Sequence, residues 1–207
     1  GVDTSKFKPE RKPFAGSEIT LGTLGIHIAR KGILELIFVV IRLIKKGHRI
    51  RLRIGSSGPL TSLFKKVVES KNVGDRIIFD GFVPEAELGS WYNNIDVFVL
   101  NSKSEGHPVA VLEAMSAGRV VIATEVDDLS EILGDRWTYK FGKWRDLIGL
   151  ISLIEKMDRD KLERIANVNR KKVLQRFDLK KQALKVAIAI AIVSQGEISD
   201  SDKRISI

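Results

Sequence analysis

Two glutamates eight positions apart, Glu105 and Glu113, have the residue type and spacing best suited to chemistry in this chain. Glu105 lies in the turn SEGHP after the apolar run VFVLN, and Glu113 lies in a helical pattern that opens at Pro108. At such a strand–turn–helix junction, free backbone N–H groups and the helix dipole attract phosphate. Carboxylates there suit hydrogen bonds from hydroxyl groups. The pattern therefore predicts a pocket for a ligand carrying both phosphate and sugar.

Alternating strands and helices must position these residues, and the sequence provides them. The predicted strands are EITLGTLG, IRLRIG, RIIFDG, DVFVLN, RVVIAT and WTYKF. Helical segments lie between them, and three closing helices are predicted over 144–156, 159–175 and 179–195. Alternating βα units of this length indicate a parallel sheet with helices on both faces. We expect an α/β fold, a Rossmann-like three-layer α/β/α domain with about six parallel strands.

The composition is that of a globular domain. The 207 residues are 43% hydrophobic and their mean hydropathy is -0.02. We predict one domain over 1–195 and a disordered polar tail over 196–207. No apolar run reaches the roughly 20 residues that span a bilayer. The absence of cysteine fits a reducing compartment, so we expect a cytoplasmic protein.

The net charge of +9 bears on possible partners. Nucleic acid, an anionic membrane and phosphorylated substrates would all be attracted, although a solvated basic surface is the simpler explanation. Between Arg30 and Arg53, Glu35 is the only acid among nine charged residues. Interleaved aromatic residues and a groove-reading element are lacking, so we expect no nucleic-acid partner. Peripheral contact with the anionic inner face of a membrane is the partner hypothesis that charge favours.

Four landmarks in order give the chain a family resemblance. KG follows the first strand, IGSSGPL the second, FDGFV the third and SEGHPVAVLEAM the fourth. Together they resemble the C-terminal, donor-binding half of a GT-B glycosyltransferase, above all the retaining group called glycosyltransferase family four. The resemblance covers Gly1 to about Gln195. It implies transfer of a hexosyl group from a nucleotide diphosphate sugar to a glycan or lipid-linked acceptor.

The resemblance also implies a role for individual residues. Glu105 would be catalytic, facing the donor sugar near its reacting carbon, while Glu113 would bind the ribose hydroxyls and Lys31 the diphosphate. The other donor-binding positions would be Gly106 and His107 near sugar or phosphate, main-chain groups of Phe82 and Val83 near the base, and Gly25, Gly55 and Gly58 in the turns. It implies no metal and no cofactor, because a lysine and helix N–H groups can stabilise the leaving diphosphate.

The chain departs from the family pattern at the first turn. Gly25 is followed by Ile26, where the family usually has an arginine. One of two phosphate-binding cations is therefore missing at that spacing. Arg30, next to Lys31, is a candidate to replace it.

A second departure is the pair Asp127 and Asp128, where the family often has two glycines. We predict that Asp128 and Glu131 form a capping box that turns this charge away from the donor. His107 also stands where an aromatic residue is common. These departures leave open a non-catalytic, degenerate nucleotide-sugar-binding module. A nucleotide-sugar epimerase of the same fold ranks lower because its acid and base have no candidates here.

Several other residues receive structural interpretations. Trp91 and Tyr92 have the spacing of core residues, and Asp96 reads as a turn or cap residue. His27 and His48 are interpreted as incidental to function. The D-x-D of residues 200–202 is interpreted as a coincidence, so no metal site is predicted. The apolar run KVAIAIAIV continues a helix, either buried in the core or facing a partner domain. An acceptor-binding half is missing from this sequence, so we expect weak donor binding and little transfer by the isolated chain.

Overall fold

The computed structural model describes residues 1–106 and 108–194, and it contains the expected parallel sheet. Its six strands are β1 (Ile19–Leu24), β2 (Ile50–Gly55), β3 (Ile77–Gly81), β4 (Val97–Leu100), β5 (Val120–Thr124) and β6 (Thr138–Tyr139). They are arranged in the order β3-β2-β1-β4-β5-β6, and every pairing is parallel. The order reverses between β1 and β4, which opens a crevice at their carboxyl ends.

Eight α-helices accompany the sheet within the described residues. They are α1 (Ile33–Lys45), α2 (Thr61–Ser70), α3 (Leu88–Asn93), α4 (Val109–Ser116), α5 (Leu129–Leu133), α6 (Trp144–Lys156), α7 (Arg159–Arg176) and α8 (Leu179–Ser194). Crossovers between parallel strands are right-handed, so α1 and α2 cover one face of the sheet and α3, α4 and α5 cover the other. Helix α6 packs beside α1, and α7 packs against α4.

The central strands are buried because both faces are covered. All four residues of β4 and all five of β5 are buried. Leu21 of β1 pairs in register with Leu52 of β2 on one side and Val97 of β4 on the other. Such uninterrupted β-branched and apolar runs are typical of parallel strands buried on both faces. The α/β/α architecture predicted from the sequence is confirmed.

Buried polar residues fasten the N-terminal segment to the amino end of the sheet. The Asp96 carboxylate accepts hydrogen bonds from the backbone N–H groups of Phe14 and Thr20 at 2.6 and 2.8 Å. Arg119, fully buried, donates to the Arg11 carbonyl at 2.7 Å. Burial lowers the pKa of Arg119 to about 10, which leaves it charged at neutral pH. Asp96 is therefore an anchor for the chain, in agreement with its structural interpretation.

Two local predictions were wrong. The strand expected at WTYKF contains only Thr138–Tyr139, because Trp137 ends a short 3₁₀ helix. The capping box is not formed either, since the Asp128 side chain makes no cap hydrogen bond. Its backbone ψ of 20° lies outside the extended region from which a capping carboxylate reaches the first helical N–H groups.

No helix in the described ranges is long and apolar enough to cross a membrane. The tail predicted over 196–207, including Asp200 and Asp202, lies outside the described residues, as does His107.

Candidate functional site

The candidate site lies at the carboxyl ends of β1 and β4, where hydrogen bonds join two loops. The Asn101 side-chain amide donates to the Gly32 carbonyl at 2.7 Å. The Lys103 N–H donates to the Arg30 carbonyl at 2.8 Å, and the Arg30 guanidinium donates to the Ser104 carbonyl at 2.6 Å. The loop after β1 and the loop after β4 therefore form one connected wall of the crevice.

Lys31 and Glu105, predicted from separate motifs, form an ion pair in this wall. The Lys31 ammonium lies 2.7 and 2.8 Å from the two carboxylate oxygens of Glu105. The Arg30 guanidinium lies 3.9 Å from the same carboxylate. The Glu105 side chain is only 8% exposed, so the pair is shielded from bulk solvent. A Cβ at Gly25 would lie 3.5 Å from Lys31 Cε, so the lysine stem rests against this glycine.

Glu113 lies in α4, the helix that follows the Glu105 turn. Its Oε2 accepts a hydrogen bond from the Tyr92 hydroxyl of α3 at 2.8 Å. Burial raises the pKa of Glu113, and the Tyr92 hydrogen bond and the charge of Lys6 oppose that shift in part. Trp91 and Tyr92 are buried, which confirms their assignment to the core. Tyr92 is thus a core residue whose hydroxyl also orients a candidate site carboxylate.

The predicted turn glycines Gly55 and Gly58 lie where β2 and its loop approach the end of β1. A Cβ at Gly55 would lie 2.5 Å from Leu24 Cδ1, and one at Gly58 would lie 2.7 Å from the His27 backbone nitrogen. A larger residue at Gly58 would displace the loop that carries Lys31, whereas one at Gly55 would require the Leu24 side chain to move. These glycines therefore shape the wall of the crevice through close packing.

His27, interpreted from the sequence as incidental, is a fully buried link between two loops. Its Nδ1 lies 2.8 Å from Thr61 Oγ1, whose hydroxyl donates to the Gly58 carbonyl at 2.8 Å. The direction of the His27–Thr61 hydrogen bond depends on the tautomer of the ring. Burial lowers the pKa of His27, with an opposing effect of the Gly55 backbone, and so favours the neutral ring. No motif in the sequence signals this link, because it depends on tertiary packing.

The loop predicted to meet the base borders a cavity of about 240 Å³ at the ends of β2 and β3. Phe82 is 77% exposed at its rim, and Val83 also lines it. Asp80 closes the cavity, receiving a bidentate pair from Arg53 at 2.7 and 3.0 Å and a hydrogen bond from Trp91 at 2.7 Å. Sequence reasoning missed this Arg53–Asp80–Trp91 cluster, because residues on neighbouring strands come together only through strand register.

Asp127 and Asp128 lie beside the start of α4. Asp127 has a φ of 46°, in the left-handed region where glycine would be unstrained. Both aspartates line a cavity of about 130 Å³ together with Pro108, Leu112 and Arg176. Arg176 thus lines the same cavity as the two aspartates, without an ion pair to either of them.

The remaining predicted positions show no contact that bears on donor binding among the described residues. A Cβ at Gly106 would meet no atom within 4 Å, so packing does not require glycine there. Ile26, which stands where the family has an arginine, is 48% exposed. The prediction for His107 concerns a residue outside the described ranges.

The sequence is similar to those of known glycosyltransferases. The family model for glycosyl transferases group 1 matches residues 18–151. The sulfoquinovosyl transferase SQD2 of Arabidopsis thaliana is 29% identical over 150 residues, which cover 69% of this chain and 28% of that protein. The curated relatives are matched over 26% to 46% of their own lengths, so the chain spans less than half of each.

Solved structures give the same architecture. The C-terminal domain of the glycosyl transferase group 1 family protein LpcC from Francisella tularensis superposes with a TM-score of 0.75 and 26% identity, covering 86% of this chain and all of that one. Anabaena HepE, solved with UDP and glucose, superposes with a TM-score of 0.79 at 17% identity, covering 92% of this chain and 55% of that chain. The sheet and its flanking helices match the C-terminal domains of GT-B proteins.

Proposed function

Because this chain belongs to the glycosyl transferases group 1 family and is a glycosyltransferase domain, we propose that it is the donor-binding half of its enzyme. That enzyme moves a hexosyl group from a nucleotide diphosphate sugar to a glycan or lipid-linked acceptor. The Lys31–Glu105 pair at the crevice between β1 and β4 carries the proposal. It places a cation and a hydroxyl-binding carboxylate where open α/β sheets bind ligands. The UDP and glucose held by HepE, a protein of the same fold, are in keeping with this ligand class.

In this proposal the diphosphate of the donor binds the Lys31 ammonium in place of the Glu105 carboxylate. The leaving diphosphate gains negative charge as the glycosidic bond breaks, and the ammonium stabilises that charge. Backbone N–H groups at the start of α4 have no intrahelical partners and add to the same field. Glu105, released from the lysine, accepts hydrogen bonds from the sugar hydroxyls near the reacting carbon. Arg30 supplies the second phosphate-binding cation, because Ile26 occupies the position at which the family usually has an arginine.

Glu113 binds the ribose in this proposal. Tyr92 engages Oε2, and within the described residues no hydrogen bond occupies Oε1, which is left for a ribose hydroxyl. The main chain of Phe82 and Val83 meets the base beside the 240 Å³ cavity. Gly106 and His107 approach the sugar or phosphate. Positive charge from protein groups alone serves the reaction, without metal or cofactor, and the anomeric configuration of the sugar is retained.

The acceptor half of the enzyme is proposed to face the same crevice. The chain covers 46% of the length of one curated relative and 28% of that of SQD2, and we propose that a further part of the protein binds the glycan or lipid-linked acceptor. The exposed apolar residues of α8 are proposed to contact that part. A peripheral contact with an anionic membrane would bring a lipid-linked acceptor within reach, and no nucleic-acid partner is proposed.

Calorimetric titration of the chain with UDP, GDP and ADP tests the proposal. We expect one nucleotide to bind and the Glu113→Ala variant to lose about tenfold in affinity, which is about 1.4 kcal/mol. Glu69→Ala removes an exposed glutamate from the end of α2 and serves as the matched control. If the folded chain binds none of the three nucleotides, or if both variants lose equal affinity, the donor site is placed wrongly.

Ile26 and the Asp127–Asp128 loop support a second candidate, a nucleotide-sugar-binding module without transferase activity. The two candidates differ in turnover, since both bind the donor. Donor hydrolysis or transfer by the intact protein, abolished in Glu105→Gln, would exclude the binding module. Restoration of the missing cation by Ile26→Arg is expected to raise UDP affinity if the turn after β1 faces the diphosphate. An epimerase is not proposed, because the Lys31–Glu105 and Tyr92–Glu113 pairs at the crevice are assigned to the diphosphate, the sugar and the ribose.

A further inference from the structure

Two exposed aromatic side chains flank one cavity between α1 and α6. Among the described residues only Phe38, Phe82 and Trp144 are exposed aromatics. Phe82 belongs to the donor loop discussed above. Phe38, 49% exposed, and Trp144, 45% exposed, both line a cavity of about 400 Å³. Their exposure is not explained by the donor site.

The polar groups at the floor of this cavity bond to the protein itself. The Tyr139 hydroxyl donates to Asn101 Oδ1 at 2.6 Å, and the Asn101 amide donates to the Gly32 carbonyl. Val39 and Leu147 are buried and contribute apolar walls. The cavity therefore presents apolar surface with few free hydrogen-bonding groups, which does not suit a small polar ligand.

Two cations lie against the ring of Trp144. The guanidinium of Arg42 lies 5.5 Å from the centre of the Trp144 ring, and that of Arg145 lies 5.3 Å from it. We call the surface around the cavity the α1–α6 face; its exposed cations are Arg42, Lys45, Lys46, Lys140, Lys143 and Arg145. None of the six forms an ion pair with a residue that the structure describes. By contrast, Arg51 and Arg53 of β2 are both paired with carboxylates.

We propose that the α1–α6 face docks the protein onto an anionic lipid bilayer. Aromatic rings are stable at the depth of the headgroups, and Lys and Arg side chains are attracted to acidic lipids. The face supplies both, and Glu35 and Asp146 are exposed acids on its two helices. This assigns a surface to the membrane contact proposed above, yet it does not depend on donor binding.

Charge complementarity favours a bilayer over a second copy of the chain. In a symmetric dimer through this face, the same patch meets itself. The six cations of one copy would then lie against the six of the other, and like charges in contact oppose association. An acidic bilayer instead neutralises them and accepts Phe38 and Trp144 at its interface.

Vesicle co-sedimentation with the whole chain tests the proposal. The vesicles are phosphatidylcholine alone, or phosphatidylcholine with about one third phosphatidylglycerol. Arg42→Gln/Lys143→Gln/Arg145→Gln is expected to weaken binding to the anionic vesicles about a hundredfold, since each cation near such a surface contributes about fivefold. The control Lys161→Gln/Arg164→Gln/Lys171→Gln removes three exposed cations from α7, which packs against α4 on the opposite layer. It should lose less than about fivefold.

Equal losses in the two triple variants would mean that net charge alone attracts the lipid, and would overturn the proposal. So would equal binding to both kinds of vesicle. Fluorescence gives an independent readout, because Trp91 and Trp137 are buried and Trp144 is the exposed tryptophan of the three. We expect brominated lipids to quench wild-type emission and to quench that of Trp144→Phe much less. UDP titration of the same variants measures donor binding separately from lipid binding. A failure of the membrane proposal can therefore be distinguished from a failure of the donor-binding proposal.

Discussion

The Lys31–Glu105 ion pair determines which contact a ligand must replace when it enters the crevice. A carboxylate that is only 8% exposed would be costly to leave charged and alone, and the lysine compensates that cost. A diphosphate offers the lysine more negative charge than one carboxylate does. Ligand binding then amounts to an exchange of partners, in which Glu105 becomes available to a sugar.

The exchange predicts a selective effect of Lys31→Ala. We expect UDP affinity to fall about tenfold to a hundredfold, which is about 1.4 to 2.8 kcal/mol, while uridine affinity changes little because uridine has no phosphate. Lys103→Ala is the matched control, since this lysine lies in the neighbouring loop and its exposed side chain forms no ion pair with any described residue. Titration calorimetry with both ligands checks the result. Equal losses for UDP and uridine would show that Lys31 supports the fold of the pocket and not the phosphates.

Glu113 predicts a pH dependence of nucleotide binding. Burial raises the pKa of Glu113 and its hydrogen bond from Tyr92 lowers it. Because the ionised carboxylate is the better acceptor for ribose hydroxyls, UDP affinity should fall as the pH falls through this raised pKa. Tyr92→Phe removes the lowering hydrogen bond, so the midpoint should move to higher pH. Titrations across pH with Tyr139→Phe as control check this, since its lost hydroxyl binds Asn101 and not Glu113.

The sign of the corresponding effect on stability is opposite. Between the ordinary value of 4.5 and the raised pKa, the folded chain holds a proton on Glu113 that the unfolded chain has released. The contribution of Glu113 to stability therefore decreases as the pH rises through that window.

If the pH midpoint of UDP binding is the same in Tyr92→Phe as in the wild type, the result would contradict the proposal that Glu113 binds the ribose.

Hydrogen bonds between the loop after β1 and the loop after β2 hold these two connections together. Thr61, the first residue of α2, joins the loop after β1 to the loop after β2. Its hydroxyl accepts from the Gly58 N–H at 2.9 Å, donates to the Gly58 carbonyl at 2.8 Å and lies within hydrogen-bond distance of His27 Nδ1. One side chain thus positions both loops at the edge of the crevice.

Thr61→Val is expected to lower the free energy of unfolding by about 1–3 kcal/mol. The substitution keeps the shape of the side chain but leaves His27 Nδ1 and the Gly58 N–H and carbonyl groups without that partner. Thr61→Ser keeps the hydroxyl and should lose less than about 1 kcal/mol. Urea denaturation of both variants measures the difference. If the two variants are equally stable, the hydrogen bonds contribute little and packing of the methyl group dominates.

The elements themselves were largely predictable from sequence, and the exceptions have physical causes. The bounds of β2 and α6 agree with prediction because alternating apolar and charged residues mark the strand and an amphipathic pattern marks the helix. The capping box failed because the backbone ψ of Asp128 is 20°, outside the extended region, which sequence spacing does not report. The Lys31–Glu105 pair joins two motifs 74 residues apart, so each residue was predictable but their contact was not.

In the described part of the chain, helix α8 carries more exposed large apolar side chains than any other element. Leu184, Val186, Ile188, Ile190, Ile192 and Val193 are all exposed. A helix that is apolar on all sides is normally buried, and large exposed apolar patches mark interaction sites. The chain spans less than half the length of its curated relatives, which agrees with our proposal that the rest of the enzyme covers α8.

This proposal makes a prediction for the chain by itself. Exposed apolar surface favours self-association, so the double variant Ile188→Gln/Ile190→Gln should raise the concentration at which oligomers appear in sedimentation velocity. Because these side chains are 51% and 64% exposed, the change should alter the free energy of unfolding by no more than about 0.5 kcal/mol. Leu153→Gln, at an exposed position on α6, is the control and should leave the oligomers unchanged. A loss of several kcal/mol in the double variant would instead mean that α8 already packs within this chain, and the surface would no longer need a partner.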